Sequence, residues 1–254
     1  MNNPSIITFP IFEDHPELFC VFSTRIGGFS ENEYSTMNMG LTSGDNIDTV
    51  RKNRKHWFNT LSIDEKNLAI PKQIHSAFVK KVTKPGIYED TDGLYTDNHE
   101  MFLSVQTADC LPVFLYEPEK KIIAIVHAGW QGSLKGIILE MLDHLENDCA
   151  IQTTKLKIAI GPGIQSTCFE VREDVYSKFP SEFLSKHEDI EKRYLNLQSF
   201  IKNQFNSRGV LEKNIYIDST CTHCDEERYY SYRRDKNHSG RMMGIISLKN
   251  TLNI

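Results

Sequence analysis

FLSVQTADCLPVFLYEPEKKIIAIVH, residues 102–127, contains three apolar runs of strand length, at 102–106, 112–116 and 122–126. Short apolar runs bounded by polar or turn residues are typical of buried strands. The second and third runs are separated by a turn that contains Pro118 and Glu119. They therefore predict an antiparallel hairpin, and the three runs together predict buried sheet.

The hairpin brings Cys110 and His127 together with either of two loop lengths. A two-residue loop would place Cys110 directly opposite His127. A four-residue loop, which suits Pro118 at the second position of a type I turn, would shift the pairing by two residues. Opposite residues have Cβ atoms about 5 Å apart and diagonal ones about 7–8 Å, so one metal ion or one proton transfer could join the pair. The alternative is a small buried thiol and a hydrogen-bonded core histidine.

Periodicity outside the hairpin predicts further strands and two amphipathic helices. The strands are predicted at 18–23, 73–82, 156–160, 215–217 and 243–248. The first helix is predicted to follow a Gly132-Ser133 cap and to bury Leu134, Ile137, Ile138, Met141, Leu142 and Leu145. The second carries Leu197, Phe200, Ile201 and Phe205 and is closed by Gly209. Elements of both kinds around an antiparallel hairpin favour an α+β fold with mixed β-sheets over a doubly wound parallel sheet.

Composition excludes several classes of protein. A formal net charge of −5 provides no broad basic field for a nucleic acid backbone. No stretch approaches the roughly 20 apolar residues that cross a bilayer, and residues 1–12 lack the pattern of a secretory signal. The six cysteines, at irregular positions, are then predicted to be thiols or ligands in the cytoplasm. Without repeats or low-complexity tracts, residues 1–254 are predicted to form a single domain.

Eight short motifs, in order along nearly the whole chain, resemble a known family. They are Ser23-Thr24-Arg25 with Gly27-Gly28, Asn38-Met39-Gly40, Lys72-Gln73-Ile74-His75, Thr107-Ala108-Asp109-Cys110-Leu111-Pro112-Val113, His127-Ala128-Gly129-Trp130, Gly161-Pro162, Ser231-Tyr232-Arg233-Arg234 and Gly240-Arg241. The chain is thereby similar to the YfiH-type family, first labelled polyphenol oxidoreductase or laccase and now regarded as purine nucleoside phosphorylases. The resemblance implies mixed sheets layered with helices as α/β/β/α, a YfiH-like fold related to that of cysteine hydrolases.

The resemblance also implies a zinc site formed by His75, Cys110 and His127. These would be the catalytic residues as well as the metal ligands. Three protein ligands leave a fourth position open for water or substrate, which is the arrangement of a catalytic zinc. Copper could occupy the same ligands in vitro.

The activity that the resemblance implies is phosphorolysis of adenosine, inosine and methylthioadenosine, with deamination of adenosine. The expected partners are therefore a purine nucleoside and phosphate. Arg25 is the best candidate for binding phosphate, with Arg233 and Arg234 behind it, because a guanidinium matches phosphate oxygens. Asn38 and Gln73 are candidates for ribose or base. Their alternatives are structural hydrogen bonds and ion pairs, and Gln131, which stands where the family usually has arginine, removes a possible phosphate contact.

Three other functions stay open at this stage. Cys110 could be a nucleophile with His127 as its base, for amide hydrolysis or deamidation, and such a pair would not need His75. A weak copper-dependent phenol oxidase is a second alternative, although nine histidines without a His-x-His pair do not suit a multicopper oxidase. The third is a metal-binding protein without turnover. The protein is expected to be a monomer or a small homo-oligomer.

Cys221-Thr222-His223-Cys224 resembles half of a zinc site. No second Cys-x-x-Cys completes it, so the segment is expected to be structural. Local metal capture or oxidation in vitro is left open.

Overall fold

The computed structural model describes residues 3–248. Its strands, numbered in chain order, are β1 (Ile6–Ile7), β2 (Leu18–Ser23), β3 (Leu68–Pro71), β4 (Val79–Lys81), β5 (Gly86–Tyr88), β6 (Gly93–Thr96), β7 (Phe102–Thr107), β8 (Leu111–Glu117), β9 (Ile122–Ala128), β10 (Lys157–Ile160), β11 (Glu170–Arg172), β12 (Leu184–Lys186), β13 (Lys192–Leu195), β14 (Ile215–Ile217) and β15 (Met242–Leu248). Its α-helices are α1 (Ile47–Thr60), α2 (Trp130–Leu134), α3 (Ile137–Cys149), α4 (Glu173–Tyr176), α5 (Leu197–Ser207) and α6 (Tyr232–Asp235). None of the helices within residues 3–248 is long and apolar enough to span a bilayer.

Two six-stranded sheets form the centre of the fold. The first has the order β1-β2-β15-β7-β3-β5 and the second the order β14-β10-β8-β9-β6-β4, while β11, β13 and β12 form a small third sheet. Phe22 and Leu103 of the first sheet lie in one apolar cluster with Phe114 and Ile125 of the second. The inner faces of the two large sheets therefore pack against each other.

Helices cover the two outer faces. On the first sheet, Val21 and Ile245 cluster with Trp57 of α1. On the second, Val126 clusters with Ile138 of α3, and α5 joins the same core. The layers follow the order α/β/β/α, which confirms the predicted mixed-sheet α+β fold. Burial of both sheet faces explains why the central strands are continuous apolar runs.

The hairpin of β8 and β9 has the four-residue loop. Glu117 pairs with Ile122, and Pro112 pairs with His127. Cys110, just before β8, is therefore diagonal to His127, as one of the two predicted registers requires. The preceding strand β7 belongs to the other sheet, so residues 108–110 cross from one sheet to the other. Asp109 makes this turn with a positive φ of 82°.

Two predicted elements are wrong in part. The predicted strand 73–82 is extended only at Val79–Lys81, because the carboxylate of Asp92 binds the backbone N–H groups of residues 74–76 and holds them in a loop. A strand at Leu68–Pro71 precedes that loop. The predicted Gly132-Ser133 cap lies inside α2, and α3 starts only after Gly136, whose φ of 88° interrupts the helix. The buried apolar residues keep the same helical spacing on both sides of the break, so the sequence pattern does not reveal it.

Phe114→Ala should lower the free energy of unfolding by about 3–5 kcal/mol, because it leaves a cavity between the two sheets. Phe114 is fully buried, and its ring centroid lies 4.9 Å from that of Phe9. Urea denaturation of the purified variants measures the change. Phe78→Ala is the matched control, since Phe78 is 63% exposed, and it should change stability by only about 0.5 kcal/mol. A loss below about 1 kcal/mol for Phe114→Ala would contradict the packing described.

Candidate metal centre

His75, Cys110 and His127 converge at one end of the second sheet. His75 lies in the loop after β3, Cys110 at the crossing before β8, and His127 in β9. Their donor atoms all lie within 4.8 Å of one another. The Cys110 Sγ is 3.9 Å from the His75 Nε2, and the two imidazole centroids are 4.8 Å apart.

This donor set fits a zinc ion. Zinc is bound by thiolate at about 2.3 Å and by imidazole nitrogen at about 2.0–2.1 Å, so its ligand atoms lie within a few ångströms of one another. His127 is buried, Cys110 is partly buried and His75 is exposed. The three side chains therefore approach a shared point from the protein side and leave the solvent side open.

Asp92 orients this group, and the sequence analysis did not single it out. Its Oδ1 lies 2.8 Å from the His127 Nδ1, which directs the Nε2 of that ring toward Cys110. The same fully buried carboxylate accepts the backbone N–H of His75 at 3.0 Å and the N–H and hydroxyl of Ser76, each at 2.7 Å. A carboxylate behind a metal-binding imidazole sets its tautomer and orientation. One side chain thus positions both histidines.

The only local signal for Asp92 is an acidic residue directly before an apolar strand. The pairing of β6 with β9, in which Gly93 faces Val126, brings it beside His127. That pairing joins residues far apart in sequence and cannot be read from either segment alone.

Without a metal ion, the site favours a thiolate and an imidazolium. Burial raises the pKa of Cys110, but the charge and hydrogen bond of His127, with a smaller effect of His75, lower it to about 6. Burial lowers the pKa of His127, but the charge of Cys110 and the hydrogen bond to Asp92 raise it to about 9. Burial opposes ionisation of Asp92 too, and its hydrogen bonds with His127 and Ser76 lower that pKa to about 2.

The side chains of His75 and Cys110 leave little room for a Cβ atom at position 129. A Cβ atom on Gly129 would lie 2.9 Å from the Cδ2 of His75 and 3.0 Å from the Sγ of Cys110. His75 itself has a positive φ of 58°, in the left-handed region of the backbone. The glycine lets the start of α2 approach the ligands closely.

The two amides predicted to bind ribose or base are both engaged within the protein. Gln73 donates to the carbonyl of Gln106 at 2.7 Å and accepts the N–H of the same residue at 2.8 Å. The buried Asn38 donates to Ser43 at 2.7 Å and accepts the N–H of Arg241 at 2.9 Å. Each side chain links separate segments of the chain, which is the structural alternative that the sequence allowed.

The three arginines predicted to bind phosphate also contact the backbone. Arg25 donates to the carbonyls of Ser35, Glu226 and Glu33 and lies over the ring of Tyr230. Arg233 donates to the carbonyls of Cys168 and Glu170, and Arg234 to those of Thr222, His223 and Tyr229. These contacts are the structural alternative that the sequence allowed for the three arginines.

Lys135 and Arg241 lie near the candidate ligands. Lys135 donates to the carbonyl of His75 at 3.1 Å. Arg241 is close enough to Cys110 for their charges to interact, and its guanidinium lies 5.9 Å from the ring centroid of Tyr232, which is 48% exposed. Arg241 stands in one of the motifs quoted from the sequence but was not among the predicted site residues. Arg241 also donates to the carbonyls of Ser239 and Gly240, at 2.6 and 2.9 Å.

Comparison with known proteins shows similarity along most of the chain. A family model described as multi-copper polyphenol oxidoreductase laccase matches residues 19–249. The purine nucleoside phosphorylase YlmD of Bacillus subtilis is 30% identical over 252 residues, 93% of this chain and 91% of that protein. The purine nucleoside phosphorylase YfiH of Shigella flexneri is 32% identical over 234 residues, 89% of this chain and 92% of that protein.

Solved structures show the same fold. The crystal structure of the hypothetical protein YfiH of Bacillus licheniformis superimposes with a TM-score of 0.91 at 30% identity, and the match covers 97% of each chain. The crystal structure of YlmD from Geobacillus stearothermophilus gives a TM-score of 0.89 at 28% identity, covering 95% of this chain and 94% of that one.

Alkylation of Cys110 in metal-stripped protein should have its midpoint near pH 6, because the thiolate persists down to that pH. Iodoacetamide labelling across a pH series, with mass spectrometry of the Cys110 peptide, measures it. Cys149 in the same protein is the control, since burial raises the pKa of its thiol and its labelling should set in only at alkaline pH. A Cys110 labelling rate that is still climbing above pH 8 would contradict the ion pair with His127.

Proposed function

The chain belongs to the family described as multi-copper polyphenol oxidoreductase laccase, and on that premise we propose that it is a zinc-dependent purine nucleoside phosphorylase that also deaminates adenosine. The observation that carries the proposal is the convergence of His75, Cys110 and His127, with Asp92 behind His127, on an open point. It supports a catalytic rather than a closed structural zinc, because the protein supplies three ligands there. The names of the relatives support phosphorolysis of a purine nucleoside, whereas the deamination rests on the family resemblance of the motifs.

In this proposal His75, Cys110 and His127 hold the zinc ion. When bound, zinc supplies Lewis acidity that makes water a usable nucleophile near neutral pH. Asp92 keeps the Nδ1 of His127 protonated and turned inward, so that the Nε2 lone pair faces the ion. Cys110 would enter as a thiolate, and the Nε2 proton of the neighbouring imidazolium of His127 would be released when the ion binds.

The two proposed reactions need different groups on the solvent side of the candidate zinc site. Deamination replaces the purine amino group with oxygen from water and releases ammonia. Phosphorolysis joins phosphate to C1′ of ribose and releases the base, so it needs cations to hold the phosphate. In this proposal Arg241 and Lys135 contribute positive charge for the phosphate, and the exposed ring of Tyr232 offers a face for the purine. Arg241, like Arg25, Arg233 and Arg234, donates to backbone carbonyls, so each of these arginines would bind phosphate with its remaining N–H groups or by exchanging a carbonyl for it.

Multicopper oxidase chemistry is not proposed, despite the family's description. Its copper sites need about ten histidines, and this chain has nine without a His-x-His pair. Within residues 3–248, the two groups that could hold a metal ion contain three ligands each. Copper bound to His75, Cys110 and His127 in vitro would account for weak phenol oxidation.

A second candidate function has its own supporting observation. Cys110, His127 and Asp92 lie in the order nucleophile, base and orienting carboxylate, which is the arrangement of a cysteine hydrolase. In that case Cys110 attacks an amide carbonyl, and His127 shuttles the proton to the leaving amine. This candidate leaves His75 without a catalytic task, whereas the zinc site requires it.

The cytoplasmic location, the single domain and the monomer or small homo-oligomer stay predictions.

Cys110→Ala should lose both the zinc ion and turnover, because the thiolate is one of three ligands. The assay incubates the purified protein with adenosine and phosphate and separates the products by chromatography. Adenine with ribose phosphate reports phosphorolysis, and inosine with ammonia reports deamination. Cys149→Ala is the matched control, since Cys149 lies at the end of α3 outside the site. Full activity in Cys110→Ala, or neither pair of products from the wild type, would refute the proposal.

His75→Ala distinguishes the two candidate functions. The zinc enzyme should lose bound zinc and at least about 100-fold in turnover, because replacing even an outer partner of a metal ligand costs about 10–100-fold. A cysteine hydrolase should keep most of its activity on amide substrates such as glutamine peptides, since Cys110, His127 and Asp92 are intact. His99→Ala, in the loop between β6 and β7, controls for removal of an imidazole. Metal content and product formation are measured on the same samples.

A further inference from the structure

A second group of metal-binding side chains lies apart from His75, Cys110 and His127. It consists of Cys168, His223 and Cys224, whose donor atoms lie within 4.8 Å of one another. The Sγ atoms of Cys168 and Cys224 are 3.2 Å apart. We propose that this group, completed by Cys221, is a second metal site that binds a zinc ion and holds the C-terminal segment against the catalytic crossing.

The missing half of the zinc motif comes from a distant part of the chain. Cys-x-x-Cys at 221–224 has no second copy in sequence, which favoured a structural role for it. The fold supplies another sulfur, because Gly163 and Cys221 form a parallel β-bridge. That bridge brings the segment carrying Cys168 beside the segment carrying His223 and Cys224. Cys168, which belongs to none of the motifs, thereby supplies a further thiol to the Cys-x-x-Cys segment.

Cys221 is the fourth donor in this proposal. Its Sγ accepts the backbone N–H of Gln165 at 3.4 Å. It is not among the three donor atoms that lie within 4.8 Å of one another, so its side chain would turn toward Cys224, three residues further along the same segment, when an ion binds. Backbone N–H groups aimed at sulfur are the outer support that metal-bound thiolates receive. With Cys221 included, the donors are three sulfurs and one imidazole, a set characteristic of structural zinc.

The surroundings suit a cation and fix the ligand segments. Asp225, Glu226 and Glu227 line the same surface depression as Cys221 and Cys224. Cys168 and His223 are partly buried and Cys224 is exposed, so an ion can enter from solvent. Three acidic residues beside the thiols favour binding of a divalent ion over an isolated thiol pair.

Arg233 and Arg234, two of the arginines predicted to bind phosphate, hold the backbone of this site in place. Arg233 donates to the carbonyl of Cys168 at 3.4 Å, and Arg234 donates to those of Thr222 and His223 at 3.1 and 3.0 Å. The two arginines therefore bind the backbone of both segments that carry the proposed ligands. Because these hydrogen bonds are to backbone carbonyls, they do not occupy the sulfurs or the imidazole of His223.

The second site is connected to the first through one residue. The hydroxyl of Thr222, between Cys221 and His223, donates to the Asp109 carboxylate at 2.7 Å. Asp109 directly precedes Cys110 in the crossing between the sheets and also accepts from Ser231 at 3.0 Å. An ion that fixes residues 221–224 therefore helps to hold Cys110 in position, and its role is structural.

Metal content separates the two sites. After equilibrium dialysis against zinc with a phosphine reductant present, the wild type should bind two ions per chain, measured by plasma mass spectrometry. Cys110→Ala should bind one, the double variant Cys168→Ser with Cys224→Ser should bind one, and the combined triple variant should bind none. Cys149→Ser is the matched cysteine control and should bind two. Cobalt substituted for zinc should give stronger thiolate charge-transfer absorption in Cys110→Ala than in the double variant, because the second site contains more sulfur.

A single substitution keeps the test decisive if the double variant does not fold. His223→Ala leaves all thiols in place and should weaken zinc binding in the Cys110→Ala background at least about 100-fold in competition with a chelator. Failure of folded Cys110→Ala to bind zinc, or unchanged affinity in His223→Ala, would overturn the proposal. A Cys168–Cys224 disulfide that persists in reductant and excludes metal would overturn it as well. None of these results depends on turnover at the first site.

Discussion

The candidate metal centre depends on one buried carboxylate, that of Asp92. It is fully buried, and it binds the ring of His127 on one side and the backbone of His75 on the other. A buried charge is costly to leave unpaired, so each of these contacts both satisfies the carboxylate and places a ligand. The carboxylate oxygens of Asp92 also fix the loop that carries His75. They accept hydrogen bonds from backbone N–H groups of this loop, which would otherwise need carbonyls of a neighbouring strand.

The two-sheet architecture creates the place where this arrangement is possible. The chain leaves the first sheet after β7 and enters the second at β8, and Cys110 sits at the end of that crossing. His127 arrives from the neighbouring strand, and Gly129 lets the following helix begin close to both. Three layers of apolar packing stand behind these residues, so their positions are set by rigid elements rather than by a mobile loop.

Positive side chains in this molecule are held by backbone carbonyls. Arg25, Arg233 and Arg234 bind carbonyls and join segments that are distant in sequence. Lys135 and Arg241 also bind carbonyls, that of His75 and those of Ser239 and Gly240. A count of arginines in the motifs therefore does not locate a phosphate site, because a guanidinium that matches phosphate oxygens also matches a pair of carbonyls.

Sequence alone determined the strands around residues 102–128, the mixed-sheet class and the proximity of Cys110 to His127, because local periodicity and loop length encode these directly. The motifs added His75 by resemblance. Only the tertiary structure decided which sheet each strand joins, that Asp92 lies against His127 across 35 residues, and that Cys168 meets Cys224 across 56. The physical reason is that such contacts form when separate strands pair and separate segments pack, and no local pattern records the partner of a side chain that far away.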